Sequence, residues 1–550
     1  WPDMVLGNGF IPYDIHHPKA REIIEDYIRY VLPQIKDYKS LHSISLSNEP
    51  QYFRIQGNER DRAAWKEHLE DLYGGDIEKL NDTYGTSFAN FESIPFPAYG
   101  KTPQFYDYML FLNKRFAEWH EWMADIIHEI APDIPVHSKI LPQNNIFVPS
   151  LLNSELGWGV DPELFGAFSQ LNGNDNFNLI GWQPDGFVNA MEFYDLLGSL
   201  HRQPSFNSEN HIIPDGFVEY GAAYIPKHVV TTLWQSAIHG MGASTMWVWE
   251  RPRGEPSFEG SVLTRPDVVA AMGKLNLDVN RLSWEIKAFQ DEPAKVAVLY
   301  TLTSKFYDFP DYTHSMLNTY AALSYTGNKV DFISEKQIRE GKLNEYDLLV
   351  VPYATHVWDS TLQGIRQFVE RPDKAGHLVI IGEDTLMYNE HNKALSEADR
   401  SAVFTNAHVF PKDTARADMK TYFFGKLAQI GLSKNRAVLI DANTNKPVED
   451  IEWRSVKYGG KLLINVANYS TAHKQVYIEV NGERLNTVKD LISGETLTGG
   501  KFAIGGLTPY MFEADLTNWV EIVSIEDLED TVKVGEAYEL PKYVEAKMSD

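Results

Sequence analysis

Short β-type runs alternate with amphipathic helical patterns through the first 290 residues, and this alternation limits the possible folds more than any other feature. The clearest runs lie at residues 42–46 (HSISL), 134–141 (IPVHSKIL) and 244–249 (STMWVW). The clearest helical pattern covers residues 104–130, where apolar residues recur at helical spacing. Strands that alternate with helices form parallel sheets, because each helix carries the chain back to the start of the next strand. At this length the pattern predicts a (β/α)8 barrel.

The number of predicted strands is smaller than a closed barrel requires. Five parallel strands are predicted, at about residues 42, 136, 180, 205 and 245, whereas a (β/α)8 barrel has eight. Upstream of residue 42 the sequence offers one extended segment (MVLGNGFI) and one helical pattern, and it begins with Trp1. We therefore expect residues 1–292 to form an N-terminally truncated barrel. Its first two or three strands are then missing from this chain or supplied as a separate segment.

Two further units are predicted downstream of the barrel. Residues 293–433 contain short apolar runs (KVAVLY, DLLVVP and HLVIIG) separated by helical patterns. Such runs are typical of strands buried on both faces of a parallel sheet, which predicts a flavodoxin-like α/β domain. Residues 434–516 contain strands and Gly-rich turns, which predict a small antiparallel β domain. Residues 517–550 are acidic and are interpreted as a linker followed by the start of another β module.

Charge and composition exclude several classes of function. The formal net charge is −26, which disfavours nucleic acid or an anionic membrane surface as a partner, because both require clustered Lys and Arg. Cysteine is absent, so disulfides, thiolate metal sites and the cysteine nucleophile of glutaminase chemistry are excluded. The 13 Trp residues offer rings that can stack on sugars, although most such rings pack in protein cores.

Two glutamates follow predicted strand ends. Glu49 follows HSISL within Ser-Asn-Glu-Pro, and Glu209 follows PSFN within Ser-Glu-Asn. In a parallel barrel the carboxyl ends of the strands form the rim of the active site. Retaining cleavage of a glycosidic bond needs two carboxyls about 5–5.5 Å apart, one to protonate the leaving oxygen and one to attack the anomeric carbon. We expect the two glutamates to face each other across the barrel mouth, although a single strand-end glutamate is more often a solvated rim residue.

The Asn48-Glu49-Pro50 motif, with Glu209 three strands later, resembles the clan A glycoside hydrolases. In that clan the acid/base is preceded by Asn at the end of the fourth strand, and the nucleophile ends the seventh. The resemblance implies that Glu49 is the acid/base and Glu209 the nucleophile of a retaining mechanism. It also supports the absence of upstream strands, because HSISLSNEP would then be the fourth.

Within the clan, the chain is most similar to the family 42 β-galactosidases. The segments YDIHHPKAREIIEDYIRYVLPQIKD and GGDIEKLNDTYGTSF resemble sequences that flank the acid/base of that family, and the predicted domain order is the same. The resemblance covers about residues 10–515 and implies that residues 293–433 form a trimerisation domain. Two departures leave galactose specificity open. Pro50 follows the glutamate where many members carry another residue, and the cysteines that bind zinc in some members are absent.

Other side chains near strand ends are candidate sugar-binding groups. Asn48 is expected to hydrogen-bond a sugar hydroxyl next to the anomeric centre, or alternatively to form a turn. Trp247 and Trp249 lie on the last predicted strand, and of the two we favour Trp249, nearer the strand end, as the ring that forms the floor of the sugar subsite. The remaining candidates lie at or near other strand ends: His137, Trp182, Gln183, Asn210 and His211.

Asp185 is the reserve candidate if one of the two glutamates is not catalytic. The His16-His17 pair is interpreted as a loop element rather than a metal site, because no carboxylate stands at ligand spacing. The expected chemistry needs no metal and no cofactor.

These patterns favour an exo-acting, β-galactosidase-like enzyme on oligosaccharides or polysaccharide ends. Alternatives with the same fold are a β-mannosidase, a β-glucosidase or an agarase-like enzyme. A third alternative is a non-catalytic carbohydrate-binding protein of the cell surface. Expected partners are carbohydrate, copies of this chain in a trimer-like oligomer and a separate N-terminal barrel segment, with no nucleic acid and no membrane insertion. We expect an extracellular or cell-surface location.

Overall fold

The fold is described from a computed structural model of the protein, which covers most of the chain. The described residues are 4–5, 11–52, 57–98, 100–142, 159–176, 178, 183–213, 222–250, 261–372, 374, 376–515, 522–525 and 546–548. Over these ranges, no helix combines the length and the apolar character that crossing a membrane requires.

Five parallel strands lie side by side in chain order in the first part of the chain. They are β1 (Ile44–Asn48), β2 (Val136–Lys139), β3 (Asn172–Asn174), β4 (Ser205–His211) and β5 (Met241–Trp247). β1 pairs with β2, and β3, β4 and β5 form a second parallel group. An isolated parallel bridge between Ile140 and Asn174 connects the two groups. All carboxyl ends of the strands therefore point to the same side of this array.

The third strand differs from its prediction. The sequence placed it at residues 178–182 (NLIGW), whereas β3 comprises Asn172, Gly173 and Asn174, and residues 179–182 lie outside the described ranges. Gly and Asn are depleted in strands, so propensity gave no signal here. The glycine is required by packing, because a Cβ atom at Gly173 would lie 2.4 Å from a ring carbon of His137 on β2. Close packing of neighbouring strands therefore outweighs intrinsic propensity at β3.

Nine α-helices accompany these strands in the described residues. They are α1 (Pro18–Ile35), α2 (Glu59–Tyr73), α3 (Ile77–Tyr84), α4 (Pro103–Ile130), α5 (Pro162–Phe168), α6 (Gln183–Leu200), α7 (Ile225–Ile238), α8 (Pro266–Arg281) and α9 (Ser283–Asp291). The longest, α4, begins after Thr102, whose hydroxyl accepts a hydrogen bond from the N–H of Phe105. It buries one apolar face, including Phe116 and Trp119. Leu282 separates α8 from α9.

A five-stranded parallel sheet follows. Its strands are β6 (Val296–Tyr300), β7 (Val330–Ser334), β8 (Leu348–Val351), β9 (His377–Ile381) and β10 (Ala407–Phe410), in the order β10-β9-β8-β6-β7. The three apolar runs of the sequence coincide with β6, β8 and β9, whose residues are almost all buried. The associated helices are α10 (Leu302–Asp308), α11 (Asp311–Ser324), α12 (Glu335–Arg339), α13 (Asp359–Val369), α14 (Glu397–Thr405) and α15 (Arg416–Gln429).

The next region folds as two antiparallel sheets. One contains β11 (Ala437–Asp441), β14 (Lys474–Val480), β15 (Glu483–Arg484) and β18 (Phe502–Ile504). The other has the order β12-β13-β19-β16-β17, with β12 (Ile451–Tyr458), β13 (Lys461–Asn468), β16 (Thr487–Asp490), β17 (Thr496–Thr498) and β19 (Thr508–Asp515). In the tail, β20 (Ile522–Ile525) pairs with β21 (Ala546–Met548) in antiparallel fashion. The domain limits drawn from the sequence stay predictions.

A buried group of charges joins the barrel to the regions that follow it. The imidazole of His239 contacts Asp195 on α6 and Glu452 on β12, each at 2.9 Å. The guanidinium of Arg454 lies 2.8 Å from Asp195, which also accepts a hydrogen bond from Tyr320 on α11. We call Asp195, His239, Tyr320, Glu452 and Arg454 the junction cluster. Because buried charges require partners, this cluster connects the barrel helix α6 to helix α11 and to strand β12.

Candidate active site

Glu49 lies immediately after β1, in a backbone conformation that few residues adopt. Its φ is +44°, in the left-handed region that non-glycine residues rarely enter. The Glu49 N–H donates to the carbonyl oxygen of Lys139 at 3.0 Å, which ties the segment to the end of β2. Conformations of this kind persist where surrounding contacts hold them, and they are concentrated at functional sites. The side chain is partly exposed.

Glu209 lies within β4, next to an irregularity in the strand. The register of β4 against β5 shifts between Asn207 and Asn210. The buried Asn207 side chain donates to the carbonyl of Asn176 and accepts from the N–H of Glu209 at 3.3 Å. These bonds fix the backbone that carries the carboxylate. The Glu209 side chain is 13% exposed, and one of its oxygens lies 3.3 Å from Nε2 of His211.

Lys139, at the end of β2, is the cation of the site. Its ammonium contacts the carboxylate of Glu209, and its side chain is only 7% exposed. Burial lowers the pKa of Lys139, while the charges of Asp175 and Glu49 act in the opposite direction. One ammonium therefore lies among three carboxyl groups that come from the ends of β1, β3 and β4.

Asp175, the residue after β3, connects the two halves of the site. It is 2% exposed, and its N–H donates to the carbonyl of Ile140 at 2.9 Å. Its carboxyl is hydrogen-bonded to that of Glu49, and one of its oxygens lies 3.6 Å from Nε2 of His211. Two ionised carboxylates have no donor between them, so a hydrogen bond between Asp175 and Glu49 requires one shared proton.

The electrostatic environment of Asp175 agrees with a shared proton. Burial, together with the hydrogen bond and charge of Glu49, raises the pKa of Asp175 from its usual value near 3.8 to about 7. The charge of Lys139 and the neighbouring imidazole of His211 act in the opposite direction and do not cancel the effect of burial. Near neutral pH this group of carboxyls therefore holds and releases a proton. We call Glu49, Lys139, Asp175, Glu209 and His211 the mouth cluster.

Part of the mouth cluster has the spacing of a metal site. Possible ligand atoms of Asp175, Glu209 and His211 all lie within 4.8 Å of one another. The Lys139 ammonium already contacts the Glu209 carboxylate, so a cation is present at this position without a metal. A metal ion at this position would compete with the Lys139 ammonium for the Glu209 carboxylate.

Three other predicted sugar-binding residues lie outside the mouth cluster; two of them are buried and one is exposed. His137 is 1% exposed and packs on Phe206 with ring centroids 5.0 Å apart, and burial lowers its pKa to about 4. Asn210 is 1% exposed and donates to the hydroxyl of Ser244 on β5. Both side chains are thus enclosed in the strand array below the mouth cluster. Asn48, by contrast, is exposed at the end of β1.

The two tryptophans of the last strand occupy different environments. Trp247 ends β5, and its ring lies 5.8 Å from that of His211, so it borders the mouth cluster. Trp249 is beyond the strand and 52% exposed, and its carbonyl accepts bonds from Ser261 and Leu263. Trp182 lies outside the described residues. Gln183 is the first residue of α6, and its side chain is outside the described part of the chain.

Sequence reasoning missed two members of the mouth cluster. Lys139 alternates with His137 on β2, and period-2 alternation would have placed it on the interior face at the strand end. Asp175 was missed because the third strand was placed several residues too late. The reserve carboxylate, Asp185, forms an ion pair with Arg416 at the start of α15 instead.

Comparisons with known proteins match this architecture. Residues 11–156 match the model of glycoside hydrolase family 42, described as β-galactosidase, and residues 525–550 match a bacterial Ig-like domain of group 4. The chain is 24% identical over 270 residues to β-galactosidase Pbg of Clostridium perfringens, covering 45% of this chain and 36% of that protein. It is 22% identical over 397 residues to β-galactosidase bgaB of Geobacillus kaustophilus, covering 65% of this chain and 54% of that protein. The chain thus spans about a third to a half of these curated relatives.

A solved structure extends the likeness to nearly the whole chain. The apo exo-carrageenase of family 42 from Bacteroides ovatus superposes with a TM-score of 0.77 at 20% identity, covering 94% of this chain and 72% of that one. This likeness shows the fold and confirms the predicted class, an α/β barrel followed by an α/β domain and a small β domain. Together, the matches confirm that the chain resembles the family 42 glycoside hydrolases.

Proposed function

We propose that this protein is a retaining β-glycosidase in which Glu49 is the acid/base and Glu209 the nucleophile. The observation that carries the proposal is the convergence of these two glutamates, from the ends of β1 and β4, on the same buried Lys139 and Asp175. Double displacement requires two such carboxyls, one that gives a proton to the leaving oxygen and one that attacks the anomeric carbon. The resemblance to family 42 supports the same assignment.

In the first step, Glu209 attacks the anomeric carbon and the glycosidic bond breaks. The Lys139 ammonium favours the ionised form of Glu209, and His211 lies beside the same carboxylate. Glu49 gives a proton to the leaving oxygen. Asp175 shares a proton with Glu49, so the acid is supplied from a hydrogen-bonded pair of carboxyls.

In the second step, water replaces the leaving group. When the covalent glycosyl-enzyme forms, the negative charge of Glu209 disappears and the Lys139 ammonium loses its nearest counter-charge. Lys139 then favours ionised Glu49 and Asp175. Glu49 removes a proton from water, and the water oxygen attacks the anomeric carbon. The bond from that carbon to Glu209 breaks, which frees the Glu209 carboxylate and restores the original configuration of the sugar.

For the substrate, we propose exo-action on a β-galactoside, because the curated relatives are named β-galactosidases. A galactan oligosaccharide is the second candidate, since the similar solved structure is named an exo-carrageenase. Trp247 supports a sugar subsite next to the nucleophile, because a ring bordering His211 can stack on the apolar face of a pyranose. β-Mannosides and β-glucosides stay alternatives.

For assembly and location, we propose a trimer-like oligomer formed through residues 293–433 and an extracellular or cell-surface location. The match of residues 525–550 to a bacterial Ig-like domain supports the latter. The alternative function is that of a carbohydrate-binding protein without hydrolytic activity. Such a protein would bind sugar at the mouth cluster but would not cleave it.

The test is hydrolysis of nitrophenyl β-glycosides and carrageenan oligosaccharides by the full-length protein and by Glu49→Ala and Glu209→Ala. We expect one glycone to be hydrolysed and both variants to be inactive. Azide should rescue Glu209→Ala with an α-glycosyl azide product and Glu49→Ala with a β-glycosyl azide product, because the small anion replaces a different group in each. Activity retained in either variant would contradict the assignment, and sugar binding without turnover by the wild type would favour the binding protein.

A further inference from the structure

A polar cavity separate from the mouth cluster lies between α1, α2 and α4. It has a volume of about 270 Å³ and is lined by His16, Arg21, His68 and Arg115, among others. None of these residues belongs to the mouth cluster, and the proposed hydrolysis does not use them. Its floor contains hydrogen-bond donors that lack acceptors.

Arg115, on α4, is the main donor. Its side chain is 7% exposed and is held from one side, where Nη2 donates to Asp61 at 2.9 Å. Nε and Nη1 are buried and have no hydrogen-bond acceptor among the described residues. Guanidinium groups only donate hydrogen bonds, and buried donors without acceptors are rare in folded proteins. These two N–H donors of Arg115 therefore await an acceptor that is not among the described residues.

His16 contributes a further donor of the same kind. Its Nδ1 lies 3.4 Å from Nη2 of Arg21, which can only donate, so Nδ1 is the acceptor and the proton of the neutral ring is on Nε2. Nε2 is buried and has no acceptor among the described residues. The neutral state follows from burial and from the charges of Arg115 and Arg21, which lower the pKa of His16 to about 3.

The two guanidiniums of the cavity repel each other. The pKa of Arg21 is lowered, first by burial and then by the charge of Arg115. The carboxylates that also line the cavity, Glu67, Asp71 and Glu118, have exposed side chains and lie at its rim in solvent. Asp61 already bonds Arg115 and the N–H of Gly57. The floor of the cavity is therefore positive and rich in donors, and an anion would relieve both conditions.

We propose that this cavity binds a small oxyanion of the phosphate or sulfate type, held by an unpaired N–H of Arg115, by Arg21 and by Nε2–H of His16. Oxygen atoms of such anions match the planar array of guanidinium donors. Phosphate and sulfate present the same oxygens whether they are free ions or are carried as esters on a sugar. The ring of His16 also meets Tyr52 edge-on, with centroids 6.0 Å apart, so the site lies behind the segment that carries Glu49.

Direct binding to the full-length protein tests the proposal without any use of hydrolytic activity. Inorganic phosphate and sulfate are titrated calorimetrically at constant ionic strength, with chloride as the balancing anion. Arg21→Gln removes a cavity guanidinium at a partly exposed position, and Arg115→Gln removes the buried one. The matched control is Arg29→Gln on the same helix, where the arginine pairs with Glu25 and Glu129 outside the cavity.

We expect saturable binding of one anion per chain, weakened about tenfold or more in Arg21→Gln and unchanged in Arg29→Gln. Arg21→Gln is the deciding variant if Arg115→Gln fails to fold. Galactose 6-sulfate, with galactose as its control, separates the two sources: saturation by the sugar ester alone identifies an esterified ligand, and saturation by the inorganic ions identifies a free one. Failure of all these anions to bind the wild type, or equal binding by wild type and Arg21→Gln, would overturn the proposal.

Discussion

The mouth cluster and the junction cluster are both buried groups of charges, yet their electrostatics differ. In the junction cluster each charged group has an opposite charge within 3.3 Å. The pKa values of Asp195 and Glu452 are accordingly lowered by Arg454 and His239 in spite of burial, and that of His239 is raised by the two carboxylates. Asp195, His239, Glu452 and Arg454 are therefore held in their charged forms, and Tyr320 stays neutral as a hydrogen-bond donor.

In the mouth cluster, opposite charges do not offset the effect of burial on the pKa of Asp175. The Lys139 ammonium faces three carboxyls, and the pKa of Asp175 is raised to about 7. A group that titrates near the working pH can transfer protons, whereas a fully paired group cannot. Both clusters are buried, so burial does not distinguish them. The mouth cluster differs from the junction cluster because its charges are incompletely paired, and in this molecule that feature separates the candidate catalytic cluster from the structural one.

Removal of the proposed nucleophile is the strongest test of the catalytic role of the mouth cluster. Glu209→Gln keeps the shape of the side chain but cannot form the covalent intermediate, so kcat should fall by roughly 10⁴-fold or more, with little change in the melting temperature. Initial rates on the best glycoside measure the effect. Glu250→Gln, which alters an exposed glutamate beyond β5, is the matched control and should retain wild-type activity. A Glu209→Gln enzyme with a tenth of normal activity would show that Glu209 is not the nucleophile.

Removing the cation of the junction cluster should reduce stability instead. Arg454→Met leaves Asp195 and Glu452 buried with one fewer partner, a change that costs about 3–5 kcal/mol in buried pairs. We expect a lower melting temperature by calorimetry and unchanged kcat below the transition. Arg484→Met, which breaks an exposed pair with Glu479, should shift the melting temperature little. Equal shifts in the two variants would mean that the junction cluster does not stabilise the fold.

Asp175→Asn tests the shared proton. With one carboxyl of the pair gone, the alkaline limb of the kcat/KM profile should move to lower pH by about one unit, because the proton is no longer held between two carboxyls. The raised pKa of Asp175 also sets the direction in which the stability of the folded protein changes with pH. The folded wild type binds a proton on Asp175 between the usual pKa near 3.8 and about 7, so this group lowers stability as pH rises through that window.

The variant lacks that contribution, so its melting temperature should fall less than that of the wild type between pH 4 and pH 7. Asp185→Asn, at a carboxylate paired with Arg416 away from the mouth, is the control for the pH profile. Superimposable kcat/KM profiles for wild type and Asp175→Asn would remove Asp175 from the mechanism.

The smallest effect concerns the sugar subsite. Trp247→Ala should raise KM about three- to tenfold, as expected for loss of one stacking ring, because Trp247 borders His211. Trp249→Ala, which alters the exposed neighbour, should change KM less. Steady-state kinetics on the same glycoside shows which tryptophan contributes more to KM. A larger increase in KM for Trp249→Ala would favour Trp249 as the subsite ring, as the sequence predicted.

The sequence predicted much of this molecule where local signals are strong. Residues 42–46 and 205–207 have strand-like patterns, and the polar residues after them are the basis for predicting Glu49 and Glu209 as catalytic. Asp175 was not predictable in the same way, because β3 is formed by Asn-Gly-Asn and is selected by close packing against His137. The junction cluster joins residues more than 200 positions apart, and no periodicity within a short window can indicate such contacts.

The most direct test of the central claim is to trap the covalent intermediate. The full-length enzyme is incubated with the 2-deoxy-2-fluoro-β-glycoside of the sugar that it hydrolyses, digested, and its peptides are sequenced by mass spectrometry. The account predicts one added glycosyl group, on Glu209, with none on Glu49 or Asp175. A glycosyl group on another carboxylate, or turnover with inversion of configuration, would contradict it.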